Sequence, residues 1–402
     1  MSEDRLRALL HEAPVPAADD AERRGLRVAT AAFDRRQRAT RPVLPRLAVA
    51  LAAATLLAAL LLTPAGAAVR DWIDDVFTAG VQDAEPALTE VPGGGRLLVD
   101  SAEGPWVVQP DGSRRLLGDY AEATWSPRGL FVAAASGHAL SAVEPDGTVR
   151  WSLSAADPVA DPLWSPSGFR IAYRAGQALR VVAGDGVGDS LLDRGVAPVP
   201  AVWSPQGPHL LAYLDDRGGL RVVNADSGQT VGSAKTPAGT AGLDWAADGS
   251  QLLTATRRSL LLRDVGVGKL VDELAFGPTR SIPLPPGATV SDASFSPRGK
   301  TIAVLLGLPA RGARPPRSEL ALIDPADDSL RPLFTAPGRL PDLTWSPDGR
   351  RLLIPWPDAD QWLFIPVGGG GRVRAIGGIS AEFAPGAQNA AFPQIEGWCC
   401  PG

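Results

Sequence analysis

A five-residue motif of the form aromatic-Ser-Pro-x-Gly recurs along this chain at nearly regular intervals. Its copies begin at Trp125, Trp164, Trp203, Phe295 and Trp345, and a variant copy, WAADG, begins at Trp245. They are 39 to 50 residues apart, and each leads into an apolar stretch such as FRIAYR or RLLIPW. We interpret VPGGG at position 91 as a degenerate first copy and FAPGA at position 383 as a degenerate last one. A period of this size indicates one structural unit repeated many times.

A second pattern follows each copy of the first. It is a short apolar strand that ends in a tight polar turn, as in WVVQPDG from Trp106 and LRVVAGDG from Leu179, and it occurs seven times. Asp-Gly and Gly-Gly tolerate positive φ, which a hairpin turn requires. A further strand follows most of these turns. Each unit of roughly 40 residues is therefore predicted to be an antiparallel meander of four strands.

A four-stranded sheet cannot bury both of its faces alone. Copies packed around an axis can do so, and the ring leaves only short, protected edges. We therefore predict an all-β β-propeller, preferred over a solenoid because solenoid repeats are usually shorter. The repeated aromatics are expected to form the core between blades and not a ligand-stacking set. Asp111-Gly112, Asp146-Gly147 and Asp185-Gly186 are expected to be hairpin turns, because they lack the dense acidic spacing of a calcium loop.

The motifs resemble the TolB-type, WD40-like propeller repeats over roughly residues 88–398. That resemblance implies blades of four strands each, in a family that has six-, seven- and eight-bladed members. The seven copies of the second pattern predict seven blades. The segment ISAEFAPGAQNAAFPQIEGW near the C-terminus is then expected to supply the strand that closes the ring onto the first blade, whose own first strand is weak.

The N-terminal part has a different character. Residues 1–46 carry ten Arg against seven acids, and the next 23 residues carry no charge. A helix of 23 residues spans about 34 Å, enough for a hydrocarbon core of about 30 Å. Since Arg is kept on the cytoplasmic side, the N-terminus is predicted to be inside. A cleaved signal peptide, with Ala65-Gly66-Ala67 as the cleavage site, is the alternative. The long preceding segment argues against it.

These features predict four regions. Residues 1–45 form a short helical cytoplasmic tail, residues 46–69 a transmembrane helix, residues 70–87 a juxtamembrane linker, and residues 88–402 an extracytoplasmic propeller. The tail has two amphipathic stretches, and two helices of this size cannot make a stable core alone.

Few residues suit catalysis or metal binding. The chain has three His and two Cys, and it lacks the nucleophile-elbow, zinc-protease and phosphate-loop motifs. His138 and His209 are expected to be surface residues. Cys399 and Cys400 are expected to be free or intermolecularly linked thiols on a loose tail. We predict no enzyme activity, no cofactor and no metal.

The most irregular segment is the insertion GLPARGARPPR at residues 307–317. It carries Arg311, Arg314 and Arg317 and no acid, within residues 70–402 that have 29 basic and 37 acidic groups. A stiff basic loop on an acidic scaffold suggests an anionic partner such as a wall polymer, a lipid headgroup or an acidic protein face. A tolerated surface insertion is the alternative. The overall acidic charge argues against binding nucleic acid.

The sequence thus favours a non-enzymatic binding or scaffolding module anchored in the plasma membrane and facing the cell envelope. The alternative is a transmembrane sensor whose tail controls a cytosolic partner. That layout resembles membrane-bound anti-sigma factors, although the tail lacks a zinc-type His/Cys motif.

Overall fold

A computed structural model describes residues 84–268, 273–312, 315–368, 371–384 and 391–400. The chain divides into two compact units, residues 1–63 and 64–402, and every described residue belongs to the second. The predicted tail helices and transmembrane helix lie outside the described residues. Within the described ranges no helix is long and apolar enough to cross a membrane.

The described part contains seven four-stranded antiparallel sheets, which are the blades. Blade 1 comprises β1 (Arg96–Ser101), β2 (Gly104–Val108), β3 (Arg114–Leu116) and β28 (Gln394–Cys399). Blade 2 comprises β4 (Glu122–Trp125), β5 (Val132–Ser136), β6 (Ala139–Val143) and β7 (Val149–Ser154). Blade 3 comprises β8 (Val159–Trp164), β9 (Arg170–Ala175), β10 (Ala178–Ala183) and β11 (Ser190–Asp193). Blade 4 comprises β12 (Val202–Trp203), β13 (Leu210–Leu214), β14 (Leu220–Asn224) and β15 (Thr230–Ala234).

The remaining three blades follow in chain order. Blade 5 comprises β16 (Thr240–Trp245), β17 (Gln251–Thr256), β18 (Leu260–Val267) and β19 (Leu274–Ile282). Blade 6 comprises β20 (Thr289–Phe295), β21 (Ile302–Leu308), β22 (Arg317–Asp324) and β23 (Ser329–Pro337). Blade 7 comprises β24 (Thr344–Trp345), β25 (Arg351–Trp356), β26 (Gln361–Pro366) and β27 (Arg374–Gly377). A 3₁₀ helix, Pro357–Ala359, and a short helix α1, Ile379–Phe383, complete the described elements.

The last strand closes the ring. Within each sheet the strands follow chain order, except in blade 1, where the order is β28-β1-β2-β3. Trp398 of β28 pairs with Leu97, just as Trp345 of β24 pairs with Leu352 in blade 7. First strands of neighbouring blades contact one another, so they surround the axis. The prediction of seven blades, and of closure by the C-terminal segment, is confirmed.

The repeated aromatic residues are buried between blades, as expected. Their side chains are at most 9% exposed. Trp125, for example, packs with Leu98 and Val107 of the preceding blade. Trp398 occupies the same place in blade 1, although Cys-Cys replaces the usual Ser-Pro after it. A ring of seven aromatics, including Phe295, therefore joins each sheet to its neighbour.

Two sequence-based interpretations are wrong. The segment FAPGA at position 383 is not a blade copy, because Phe383 ends α1 and is buried with its ring 5.2 Å from that of Trp362. The cysteines are not free thiols on a loose tail, because Cys399 and Cys400 form a disulfide and Cys399 is buried at the end of β28. Both errors have one cause: the real last copy of the motif is in β28, whose residues Gln394–Cys399 belong to blade 1.

The Asp-Gly pairs form hairpin turns between the third and fourth strands, as expected. In blade 2 the Asp146 carboxylate accepts a hydrogen bond from the Thr148 backbone N–H at 2.8 Å. The following Gly147 has a φ of 91°, which a residue with a side chain rarely adopts. Each Asp is thus used inside its own turn.

Candidate functional site

The two ends of the ring carry different connections between strands, and the candidate sites are described by the end at which they lie. The Ser-Pro-x-Gly turns and the Asp-Gly hairpins lie at the same end of each blade, which we call the Ser-Pro end. The hairpins between the second and third strands, together with the connections between blades, lie at the opposite end. This assignment follows from the antiparallel order of the strands.

An apolar patch lies at the Ser-Pro end of blades 2 and 3. Four large apolar side chains among the described residues are strongly exposed: Leu130 (60%), Val149 (51%), Phe169 (68%) and Val187 (66%). All four belong to Ser-Pro turns or Asp-Gly hairpins of these two neighbouring blades. Single exposed apolar residues are ordinary, but a group at one place marks an interaction surface.

A cavity of about 550 Å³ lies between blades 2 and 3, and Phe169 of the apolar patch lines it. Its lining includes the aromatic side chains of Phe131, Trp151, Trp164 and Phe169. Arg150 and Arg170 line it as well. Each of these arginines is paired, Arg150 with Glu144 and Arg170 with Asp226. The result is an apolar pocket with a charged rim, the usual anatomy of a protein-binding surface.

The sequence contains a signal for this patch that motif reading missed. Leu130 and Phe169 each follow the glycine that ends the repeated motif. In four other blades that position holds Pro208, Ser250, Lys300 and Arg350. An aligned comparison of the repeats therefore singles out blades 2 and 3.

Two of the three predicted arginines, Arg311 and Arg317, lie at the opposite end, in the hairpin between β21 and β22. Arg311 is exposed and donates a hydrogen bond to the Pro286 carbonyl oxygen at 3.1 Å. Arg317 begins β22, where it pairs with Leu308 and Pro337. Arg314 lies outside the described residues. The hairpin is thus held to the preceding connection by Arg311.

Arg317 also lines a cavity of about 710 Å³ together with Arg257 and Arg339. Its described lining includes no acidic residue. These three arginines form no ion pair with any described carboxylate. The structure thus adds two arginines, from blade 5 and from the connection after blade 6, that sequence reading did not associate with the insertion. We call this site the basic cleft.

Carboxylates on the first strands link neighbouring blades around the axis. Three of them accept the backbone N–H of the next first-strand segment: Asp244 from Phe295 (2.7 Å), Asp292 from Leu343 (3.0 Å) and Glu122 from Asp161. In the same direction, from a later blade to the preceding one, the Trp203 indole N–H donates to the Leu163 carbonyl oxygen at 3.1 Å. These bonds lock the register between blades.

The axial carboxylates also repel one another. Burial raises the pKa of Asp244 and of Asp342 to about 7, and the carboxylate of Asp292 adds to both shifts. The Glu396 residue is partly exposed to water. Desolvation by the surrounding protein and the negative charge of Asp100 nevertheless raise its pKa to about 7. In the described part of the chain, no three His, Cys, Asp or Glu side chains are placed to hold one metal ion.

Comparisons with known proteins identify the fold of the chain but show no family for it. No family model matches the chain, and no curated protein matches it. The β-propeller domain of Myceliophteria thermophila Cps50 (Swd1) aligns over 73% of this chain and 96% of that domain, at 15% identity and a TM-score of 0.51. Kuenenia stuttgartiensis hydrazine synthase aligns over 61% of this chain and 75% of its own, at 16% identity and a TM-score of 0.49. The seven sheets and the likeness to the Cps50 domain together show that the described part of the chain is a seven-bladed β-propeller, a fold suited to protein binding and scaffolding.

Proposed function

We propose that this protein is a membrane-anchored, extracytoplasmic β-propeller of the TolB type that binds another protein of the cell envelope through the apolar patch. The observation that carries the proposal is the exposure of Leu130, Val149, Phe169 and Val187 at the same end of two neighbouring blades, where Phe169 also lines the aromatic cavity. A rigid ring supports this surface on the turns of two blades. The proposed role is non-enzymatic: the protein holds its partner in place.

Physical chemistry favours a protein as the ligand. Large apolar and aromatic groups in a desolvated pocket, ringed by paired charges, supply most of the energy of protein association. The paired arginines at the rim have their charge compensated within the protein, so the patch does not demand an anionic partner. The basic cleft does favour an anionic partner. We propose that this partner is an acidic protein face or an anionic polymer, as the sequence of the insertion suggested.

The test introduces charge into the apolar patch. We expect the Leu130→Asp, Phe169→Asp double variant to lose its principal cross-linked partner in native membranes, a loss of at least 10-fold by quantitative mass spectrometry. Ser250→Asp is the matched control, because it changes the same repeat position in blade 5. The proposal fails if the double variant, with an unchanged thermal midpoint, retains the partner at the level of the control.

The transmembrane sensor is the second candidate, and the Arg-rich tail with its amphipathic stretches favours it. Deleting residues 1–40 separates the two roles. A scaffold should retain its envelope partner without the tail. A sensor should have a cytosolic partner that cross-links through residues 1–45 and should lose it on this deletion. If that partner is found, sensing and not scaffolding is the principal function.

A further inference from the structure

Three polar side chains from blades 3 and 4 form a hydrogen-bonded relay at the Ser-Pro end. The Ser167 Oγ lies 2.7 Å from the His209 Nε2, and the His209 Nδ1 lies 2.7 Å from an Asp226 carboxylate oxygen. Ser167 is in the Ser-Pro turn of blade 3, His209 directly precedes β13, and Asp226 is in the hairpin after β14. The order of groups is that of a nucleophile, a base and a carboxylate that orients the base.

The charges determine which atom holds each proton. An ionised carboxylate only accepts hydrogen bonds, so the Nδ1 of His209 must donate to Asp226. A neutral imidazole then has an unprotonated Nε2, which accepts the hydroxyl proton of Ser167. Partial burial opposes ionisation of Asp226, but hydrogen bonds and charge from His209 and Arg170 prevail and lower its pKa. The hydrogen bonds therefore leave the His209 Nε2 free to take the proton of Ser167, which activates the serine.

Two further donors point at the same oxygen. The Phe169 backbone N–H donates to the Ser167 Oγ at 3.2 Å, and the Ser165 Oγ lies 3.0 Å away. Since the single proton of Ser167 goes to His209, Ser165 must be the donor in that second contact. These two contacts fix the position of the Ser167 Oγ opposite the His209 Nε2.

The relay is held in place and is open to solvent. Arg170 donates to the second oxygen of Asp226 at 2.9 Å, and the His209 ring packs edge-on against Trp203 with 6.3 Å between centroids. The His209 side chain is only 20% exposed, whereas Ser167 is exposed. A reagent can reach the serine while the base stays ordered, as a nucleophilic site requires.

We propose that Ser167 is a nucleophile, activated by His209 and positioned through Asp226, that hydrolyses carboxylic esters with apolar acyl groups. The apolar preference comes from the side chain of Phe169, which is 68% exposed and lies two residues after Ser167. This activity does not depend on the binding role proposed above, and its site shares Phe169 with the apolar patch.

The chemistry balances without a further reagent. The Ser167 oxygen attacks the ester carbonyl carbon while its proton passes to the His209 Nε2. The bond to the alcohol oxygen breaks, and the alcohol leaves with that proton. Water then attacks the acyl-serine, gives its proton to the same nitrogen, and releases the acid as Ser167 regains its hydrogen.

The test uses the full-length protein in detergent with two probes, a fluorophosphonate and p-nitrophenyl butyrate. We expect the fluorophosphonate to modify Ser167, and peptide mass spectrometry locates the label. We expect Ser167→Ala to lower the rate of p-nitrophenyl butyrate hydrolysis at least 100-fold. His209→Gln should slow the labelling of Ser167 by roughly 100-fold. Ser227→Ala, an exposed serine beside Asp226, is the matched control and should change neither rate.

The competing role is a structural latch between blades 3 and 4. In that case Ser167→Ala lowers the thermal midpoint, while Ser167 in the unsubstituted protein is labelled no faster than Ser227. That result overturns the proposal, as does equal labelling of Ser167 in the folded His209→Gln variant. Mapping the label to one serine also separates the protein's own activity from that of a contaminating esterase.

Discussion

At the scale of single residues, the aromatic before each Ser-Pro turn is the most informative position in the chain. It pairs with the first or second residue of the adjacent strand in every blade, and its ring fills the space between two sheets. Burying such a ring removes about 150–250 Å² of surface from water. Its recurrence was sufficient to predict where the core lies, because the same physical demand returns in every blade.

Asp342 should make the stability of the ring depend on pH. Its folded pKa of about 7 lies above the value of about 4 expected when unfolded. Its contribution to stability is therefore complete below pH 4 and is lost as the pH rises through 7. We expect Asp342→Asn to raise the free energy of unfolding by about 2 kcal/mol at pH 8 and to leave it unchanged at pH 4.

The measurement is the thermal midpoint of the full chain at both pH values. Asp119→Asn is the control, since Asp119 is exposed and lies outside the axial group. A variant that gains the same stability at pH 4 as at pH 8 would show that the gain has nothing to do with the ionised carboxylate.

At the scale of elements, β28 is the strand on which the ring depends. It supplies the first strand of blade 1, and both Ile395 and Trp398 belong to the core that joins blades 1 and 7. Deleting residues 391–402 leaves β1 with an open edge and removes these side chains. We expect the thermal midpoint to fall by about 10 °C or more, as for a loss of several kcal/mol in a domain of this size.

The control for this deletion is the insertion in blade 6. Leu308 already pairs with Arg317, so residues 309–316 can be replaced by Asn-Gly without changing the register of β21 and β22. That variant should keep its midpoint within about 2 °C. Equal losses in the two variants would mean that β28 does not close the ring in the way described.

At the scale of the whole molecule, the predicted anchor at residues 46–69 remains to be tested. We expect the full chain to stay in the membrane fraction after extraction with alkaline carbonate, and a variant lacking residues 1–69 to be released. The physical reason is the uncharged length of 23 residues, sufficient to span the hydrocarbon core. Release of the full chain by carbonate would contradict a transmembrane helix.

The repeat pattern was sufficient to predict seven blades, four strands in each, the hairpin turns and closure by the C-terminus. Each of these features depends on contacts that are local or that are repeated identically in every blade. The spacing of residues along the sequence is therefore sufficient to predict them. The copy at Trp398, in which Cys-Cys stands in place of Ser-Pro, led to the errors about FAPGA and the cysteines.

The surfaces depend on contacts that no spacing expresses. The apolar patch, the basic cleft and the relay of Ser167, His209 and Asp226 each join residues from two or three blades or their connections. Ser167 and His209 are 42 positions apart, and they meet because the sheets pack side by side in one register. That register is set by buried aromatics and axial hydrogen bonds elsewhere in the ring, so the sites follow from the packing of the blades and not from any one repeat.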